Sequence, residues 1–243
     1  DGAARQHPAA QLLGERRTIP RGEWQFARVD GSGSVVPDAT RVYLGSGFTP
    51  KLIYEVVYTA KNPPLAGLGL VAIRDAVTRL KHEGAPELGL DEESFDRALA
   101  FGISQSGRVL RTFIYEGFNA DERGRRVFDG VLAHIAGGAR GGFNTRFAQA
   151  SRSSSSYLYP NGVFPFSDSA QTDPVSDVSD GLLEHLEPQL IPRIFYTNSS
   201  NEYWRGSAAL THVTLDGRRD LAPPPSTTRI YLFAGTQHGP AGF

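Results

Sequence analysis

The stretch FGISQSGRVL, residues 101–110, decides how this chain reads. It joins an apolar run, DRALAFGIS over 96–104, to SGRVLRTFIYEGF over 106–118, where the spacing predicts a helix. A strand that turns this sharply into a helix holds one residue in strained backbone at its tip, with the helix N-terminus behind it. A serine placed there is exposed and poised to act as a nucleophile. Because strand and helix approach each other closely, the residues two before and two after the tip have to be small. With Ser104 at the tip these are Gly102 and Ser106; with Ser106 they are Ser104 and Arg108, and arginine does not fit. The strand also runs out at Ile103. Ser104 is therefore the candidate nucleophile, and the backbone N–H of Gln105, at the helix start, is the candidate oxyanion donor. The plainer reading is a Ser/Gly-rich turn with Ser106 as a helix cap.

A nucleophilic serine in a strand–turn–helix setting needs a histidine after the last strand and an acid after the strand before it, in the chain order serine, acid, histidine. Of the six histidines, His238 in FAGTQHGP sits a few residues beyond the apolar run RIYLFAG. His82 and His185 fall on expected helices, His7 and His212 in polar surroundings, and His134 inside an apolar strand. The favoured acid is Glu202 in RIFYTNSSNEYWRG, with Tyr203 and Trp204 beside it to keep water away. Asp173, Asp177, Asp180, Asp216 and Asp220 compete for the role and read as solvated surface charges.

Working outward, KLIYEVVYTA (51–60) reads as a buried strand bounded by prolines, and GLGLVAIRDAVTRLKHEG (67–84) as a helix with Leu70, Ile73, Val77 and Leu80 on one face. VFDGVLAHIAGG (127–138) reads as a strand, and IPRIFYTNSS (191–200) and TRIYLFAGT (228–236) as central strands. Strands and helices alternating at this spacing imply a mainly parallel sheet flanked by helices. Residues 1–50 read as an irregular N-terminal segment with one short strand at 41–44, and residues 51–243 as the α/β domain. Within that domain 139–190 reads as a long loop insertion over the active-site edge, since a loop of that length in a compact domain is commonly functional.

Composition narrows the classes. With 25 Lys+Arg against 26 Asp+Glu, the net charge of −1 provides no field to draw nucleic acid or an anionic membrane. Only Lys51, Lys61 and Lys81 are lysines; the other basic residues are arginine. The lack of cysteine excludes disulfides, thiolate metal sites and cysteine nucleophiles. No stretch approaches the ~20 apolar residues that span a bilayer. Methionine is also absent, even at position 1, from which we expect that upstream sequence has been removed and that the chain is a portion of a longer polypeptide.

With these residues in place, the chain resembles a family of bacterial α/β-hydrolase domain proteins of largely unassigned substrate. The resemblance is carried by YTAKNPPLAGLGLVAIRD (58–75), GISQSGRVLR (102–111), FDGVLAHIAGGARGGFNTRFAQ (128–149), IFYTNSSNEYWRGSAAL (194–210) and GTQHGP (235–240). The G-x-S-x-x-G pattern at 102–107 is also similar to the elbow of glucuronoyl esterases, in which the serine is the nucleophile and a basic residue after it helps hold the oxyanion. Here that following residue is Gln105. The resemblance implies an α/β-hydrolase fold that continues past His238 and has further strands before residue 50. A second oxyanion donor would then come from the N-terminal segment or from further segments of the same polypeptide.

The expectation is a serine-dependent carboxylic ester hydrolase with a Ser104–His238–Glu202 triad, acting on a small-molecule or saccharide-linked ester, with no metal or organic cofactor implied. Arg140, Arg146 and Arg152 in the long loop are candidates for binding a substrate carboxylate. A catalytically silent binding or interaction domain of the same fold is the alternative.

Overall fold

The computed structural model describes residues 17–239 apart from 53, 63, 64, 66 and 144–161. The chain divides into two compact units, Asp1–Pro64 and Leu65–Phe243. The boundary therefore falls some way beyond the residue 50 expected from composition.

In the first unit, strands β1 (Trp24–Val29) and β2 (Val35–Leu44) form an antiparallel hairpin with a register shift between Phe26 and Ala27. Asp30 closes the turn by accepting hydrogen bonds from the backbone of Ser32 and Ser34. The expected strand at 41–44 is the end of β2, so residues 24–44 are ordered where irregular chain was expected. The expected strand at 51–60 is not formed: the described residues there adopt no regular structure, and all but Tyr54 are exposed. A β-branched, aromatic run has strand character only when a neighbouring strand accepts its hydrogen bonds, and none does here.

In the second unit, helix α1 (Gly69–His82) precedes strand β3 (Leu99–Ile103), which leads into helix α2 (Gln105–Tyr115) and then strand β4 (Gly130–His134). Two short antiparallel pairs follow: β5 (Arg140–Gly141) with β6 (Gly162–Val163), and β7 (Gln171–Thr172) with β8 (Ser179–Asp180). Strand β9 (Arg193–Ser199), helix α3 (Ser200–Arg205) and strand β10 (Thr228–Phe233) complete the unit. The four longer strands form one all-parallel sheet in the order β10-β9-β4-β3. Both apolar runs near the end of the chain are strands, but only β9 is central; β10 lies at an edge of the sheet.

The core forms where α2 lies on one sheet face. Leu110, Phe113 and Ile114 of the helix pack with Val131, Ala133, Ile194 and Tyr196 of the strands. Leu182, Leu183, Leu186 and Leu190 belong to the same cluster, so residues 182–190 of the expected loop pack into the core, while Val175 and Val178 before them are exposed. Its Ser, Asp and Gly content hid this. Those polar residues tie the segment together, as when Asp168, itself buried, accepts from the Tyr196 hydroxyl at 2.7 Å and from Thr228 Oγ1 at 2.6 Å. On α1, the buried Lys81 pairs with Asp129 at 2.7 Å and donates to the carbonyls of Arg126 and Val127. Among the described residues no helix is long and apolar enough to cross a membrane.

Candidate active site

β3 stops at Ile103 and α2 starts at Gln105, which leaves Ser104 between them with φ 56° and ψ −117°. That backbone costs a non-glycine residue about 1–3 kcal/mol and persists only where its surroundings enforce it. The enforcement is visible on both sides. The Ser104 N–H donates to His134 O at 2.9 Å, at the carboxyl end of β4, and Ser104 O accepts from the Arg108 N–H at 3.1 Å. A Cβ on Gly102 would lie 2.5 Å from the Ser106 carbonyl oxygen, so only glycine lets strand and helix come this close.

The second small position differs from expectation. The side chain of Ser106 is exposed, and it is Gly107 that is crowded, since a Cβ there would lie 2.7 Å from the Ala136 Cβ. Ser106 does not cap the helix either. Ser104 holds the cap position, and its side chain makes no capping hydrogen bond.

The Ser104 Oγ is instead 3.0 Å from Nε2 of His238. His238 lies on the loop after β10, 134 residues away in sequence. Two contacts fix that loop: the Gly235 N–H donates to Ser200 Oγ at 2.8 Å, and Thr236 Oγ1 donates to Phe233 O at 2.6 Å. His238 Nδ1 lies 2.6 Å from Glu202 Oε1. An ionised carboxylate only accepts, so Nδ1 carries the proton, and the neutral ring presents Nε2 as the acceptor for the serine hydroxyl.

Glu202 is 3% exposed and stands at the third position of α3. Burial by itself raises a carboxyl pKa, but here hydrogen bonds from the Ser199 hydroxyl, Asn201 Nδ2, His238 and the Ser199 N–H outweigh it and hold the group at about 2. Ser199 and Glu202 thereby form a capping box at the start of α3, so the contacts that begin the helix also orient the acid. The pattern was present in the sequence as Ser-Ser-Asn-Glu at 199–202, and sequence reasoning overlooked it, along with Ser200 and Asn201.

Four of the five competing acids are engaged elsewhere. Asp173 accepts from Ser176, Asp180 from Tyr115, and Asp216 from Thr214, while Asp220 lies 3.9 Å from His212. Gln105 sits where expected, exposed at the first position of α2. The N–H groups of a helix's first turn have no acceptor within the helix, which leaves the Gln105 N–H beside Ser104 able to stabilise a negative oxygen.

Arg140 does not join the cluster. Its Nε donates to Phe164 O at 2.8 Å, its Nη1 is 3.4 Å from Glu116, and its guanidinium lies over the Tyr115 ring at 3.9 Å. Tyr115 and Glu116 are at the far end of α2 from Ser104, about 15 Å along the axis at 1.5 Å per residue. The pairing of β5 with β6 turns this arginine toward that end. Arg146 and Arg152 lie outside the described residues. Among the described residues no group of three or more His, Cys, Asp or Glu could hold a metal ion.

Behind the serine, Ile135 takes φ 43°, rare for a β-branched residue, and lets the chain turn at the end of β4. The next residues tie the two functional helices together. Gly137 N–H donates to Asn198 Oδ1, Gly138 N–H donates to Gly206 O, and Gly138 O accepts from the buried Arg111 of α2. No curated protein and no solved structure matches this chain. The model of one family, described as alpha/beta hydrolase domain, matches residues 33–242. That span takes in β2, the parallel sheet, the strained serine turn and the histidine loop, and the chain belongs to the alpha/beta hydrolase domain family.

Proposed function

We propose that this member of the family is a serine-dependent carboxylic ester hydrolase working through an acyl-enzyme. The observation that carries the reading is one chain of contacts: a serine in strained backbone at a strand-to-helix turn, a histidine nitrogen 3.0 Å from its Oγ, and a buried, ionised glutamate on the other ring nitrogen. In this reading Ser104 Oγ attacks the acyl carbon as its proton passes to His238 Nε2. The Gln105 N–H donates to the oxyanion of the tetrahedral intermediate. Collapse breaks the ester C–O bond, and the alcohol leaves with the proton from Nε2. Water then attacks the acyl-enzyme, giving its proton to Nε2, and the acid is released as that proton returns to Ser104. Glu202 holds the required tautomer throughout and stabilises the imidazolium. The substrate is a small-molecule or saccharide-linked ester.

Labelling with a fluorophosphonate followed by peptide mapping tests the reading. One label on Ser104 is expected, and Ser104→Ala should lower the hydrolysis of an activated aryl ester ~10³-fold or more, whereas Ser106→Ala should retain most of it. Loss in Ser106→Ala with retention in Ser104→Ala would move the nucleophile. No label on any serine would favour a catalytically silent domain.

A further inference from the structure

Arg108 lies in the first turn of α2, and among the described residues no acid pairs with its side chain. The residue is half-buried, and its only side-chain hydrogen bond among the described residues is a long one, Nη1 to Ala136 O at 3.4 Å. Among the described residues no carboxylate lies within 4 Å of it. Burial, unopposed by any partner, holds the guanidinium below its usual pKa.

Arg111, one turn further along α2, shows the contrast. It is wholly buried, but it donates to the carbonyls of Gly138 and Phe166 and stacks on Tyr196, whose hydroxyl donates to the buried Asp168. Tyr196 thus links that cation to an acid within the fold, although Arg111 Nε and Nη1 have no hydrogen-bond partner among the described residues. Arg108 has no counterpart of this kind.

Arg108 also stands one helical turn after the nucleophile, and its N–H donates to Ser104 O at 3.1 Å. His134 O receives the Ser104 N–H and Ala136 O receives Arg108 Nη1, so the elbow and this cation are fixed to the same three residues at the end of β4. Withdrawing a cation from water with no anion to face it is unfavourable, and a guanidinium offers five donors, most of which have no partner among the described residues.

We propose that Arg108 is a specificity residue of this site, binding an ionised carboxylate that the ester substrate carries away from the bond being broken. The proposal rests on the hydrolase reading above. A carboxylate on the acyl part and one on the alcohol part offer the guanidinium the same paired oxygens, and experiment distinguishes them.

The test uses two matched substrate pairs: the monoaryl ester of adipic acid against the aryl ester of hexanoic acid, and the acetyl ester of 4-hydroxybenzoate against that of its methyl ester. Wild type should favour the charged member of one pair by ~10- to 100-fold in kcat/KM, the range of one hydrogen bond to a charged group. That ratio should collapse toward one in Arg108→Gln and fall partway in Arg108→Lys, which keeps the charge but not the fork. The pair that responds identifies the side bearing the carboxylate. Equal rates on both members of both pairs in wild type, or a ratio that survives Arg108→Gln while both rates fall together, would overturn the proposal. A readout independent of turnover is calorimetric binding of the adipate monoester and the acetylated hydroxybenzoate to Ser104→Ala protein. Arg108→Gln added to that background should weaken one of them at least 10-fold, and unchanged binding of both would overturn the proposal. If Ser104 takes no label and no ester is cleaved, the hydrolase reading fails, while the calorimetry still decides on Arg108. Arg108→Lys serves for both measurements should Arg108→Gln not fold.

Discussion

Replacing Glu202 with glutamine tests the part of the site that the tertiary structure controls most tightly. The wild-type carboxylate accepts from Ser199 N–H, Ser199 Oγ, Asn201 Nδ2 and His238 Nδ1. A glutamine can turn its oxygen toward Ser199, but its NH₂ then meets the donors of Asn201 and His238. The relief is for His238 to move its proton to Nε2, where it can no longer accept from Ser104. A wrong tautomer of this kind lowers kcat in a serine triad about 10⁴-fold, so fluorophosphonate labelling should slow to that extent. Stability should change as well. The native pKa of Glu202 is lowered from 4.5 to about 2. At about 1.4 kcal/mol per pKa unit this contributes on the order of 3 kcal/mol. A depressed carboxyl pKa stabilises the fold above the unfolded value and ceases to do so as pH falls toward the native one. The gap between wild type and Glu202→Gln in urea denaturation, followed by circular dichroism, should therefore be full at pH 7 and close between about pH 4.5 and pH 2. A labelling rate within tenfold of wild type, or a gap that stays constant across that range, would refute the reasoning.

Two further predictions concern the frame around the site. A Cβ on Gly138 would fall on the Ser207 carbonyl oxygen, so Gly138→Ala must push apart the segments that join α2 to α3. It should lose ~3 kcal/mol in denaturant unfolding, near the upper end for overpacking, and slow Ser104 labelling; a variant as stable as wild type would show that the segments yield freely. Lys81→Met removes the buried partner of the half-buried Asp129, which keeps Arg126 at 3.0 Å. The loss should fall short of the 3–5 kcal/mol of a fully orphaned charge, at about 2–3 kcal/mol; a loss under ~1 kcal/mol would mean that Arg126 compensates.

The serine turn, the address of the histidine and the address of the acid were legible because each depends on local chemistry. An apolar strand running into a helix through Gly-x-Ser is a backbone instruction written in consecutive residues, and His238 and Glu202 follow apolar runs that can only be strands. The capping box at 199–202 was equally local and could have been found by its spacing alone. Sequence reasoning failed where a residue's role is set by what lies across from it. Ser106 and Gly107 are neighbours with similar propensities, and only the approach of Ala136 makes one of them obligatory. Residues 51–60 have the composition of a strand, but among the described residues none of them pairs with one. Residues 162–190 read as polar loop, yet their leucines fill the core under α2.

Charge shows the same division. The sequence by itself determined that arginines outnumber lysines and that several stand in the long segment after β4, which drew attention to Arg140. Tertiary structure decided which of them are neutralised. The pairing of β5 with β6 carries Arg140 to the far end of α2 against Tyr115 and Glu116, Tyr196 links Arg111 to Asp168, and Arg108, one turn after the nucleophile, has neither an acid nor such a link among the described residues. A side chain's type is carried by its own codon, whereas its counter-ion is supplied by another part of the chain and exists only once folding has brought the two within a few ångströms.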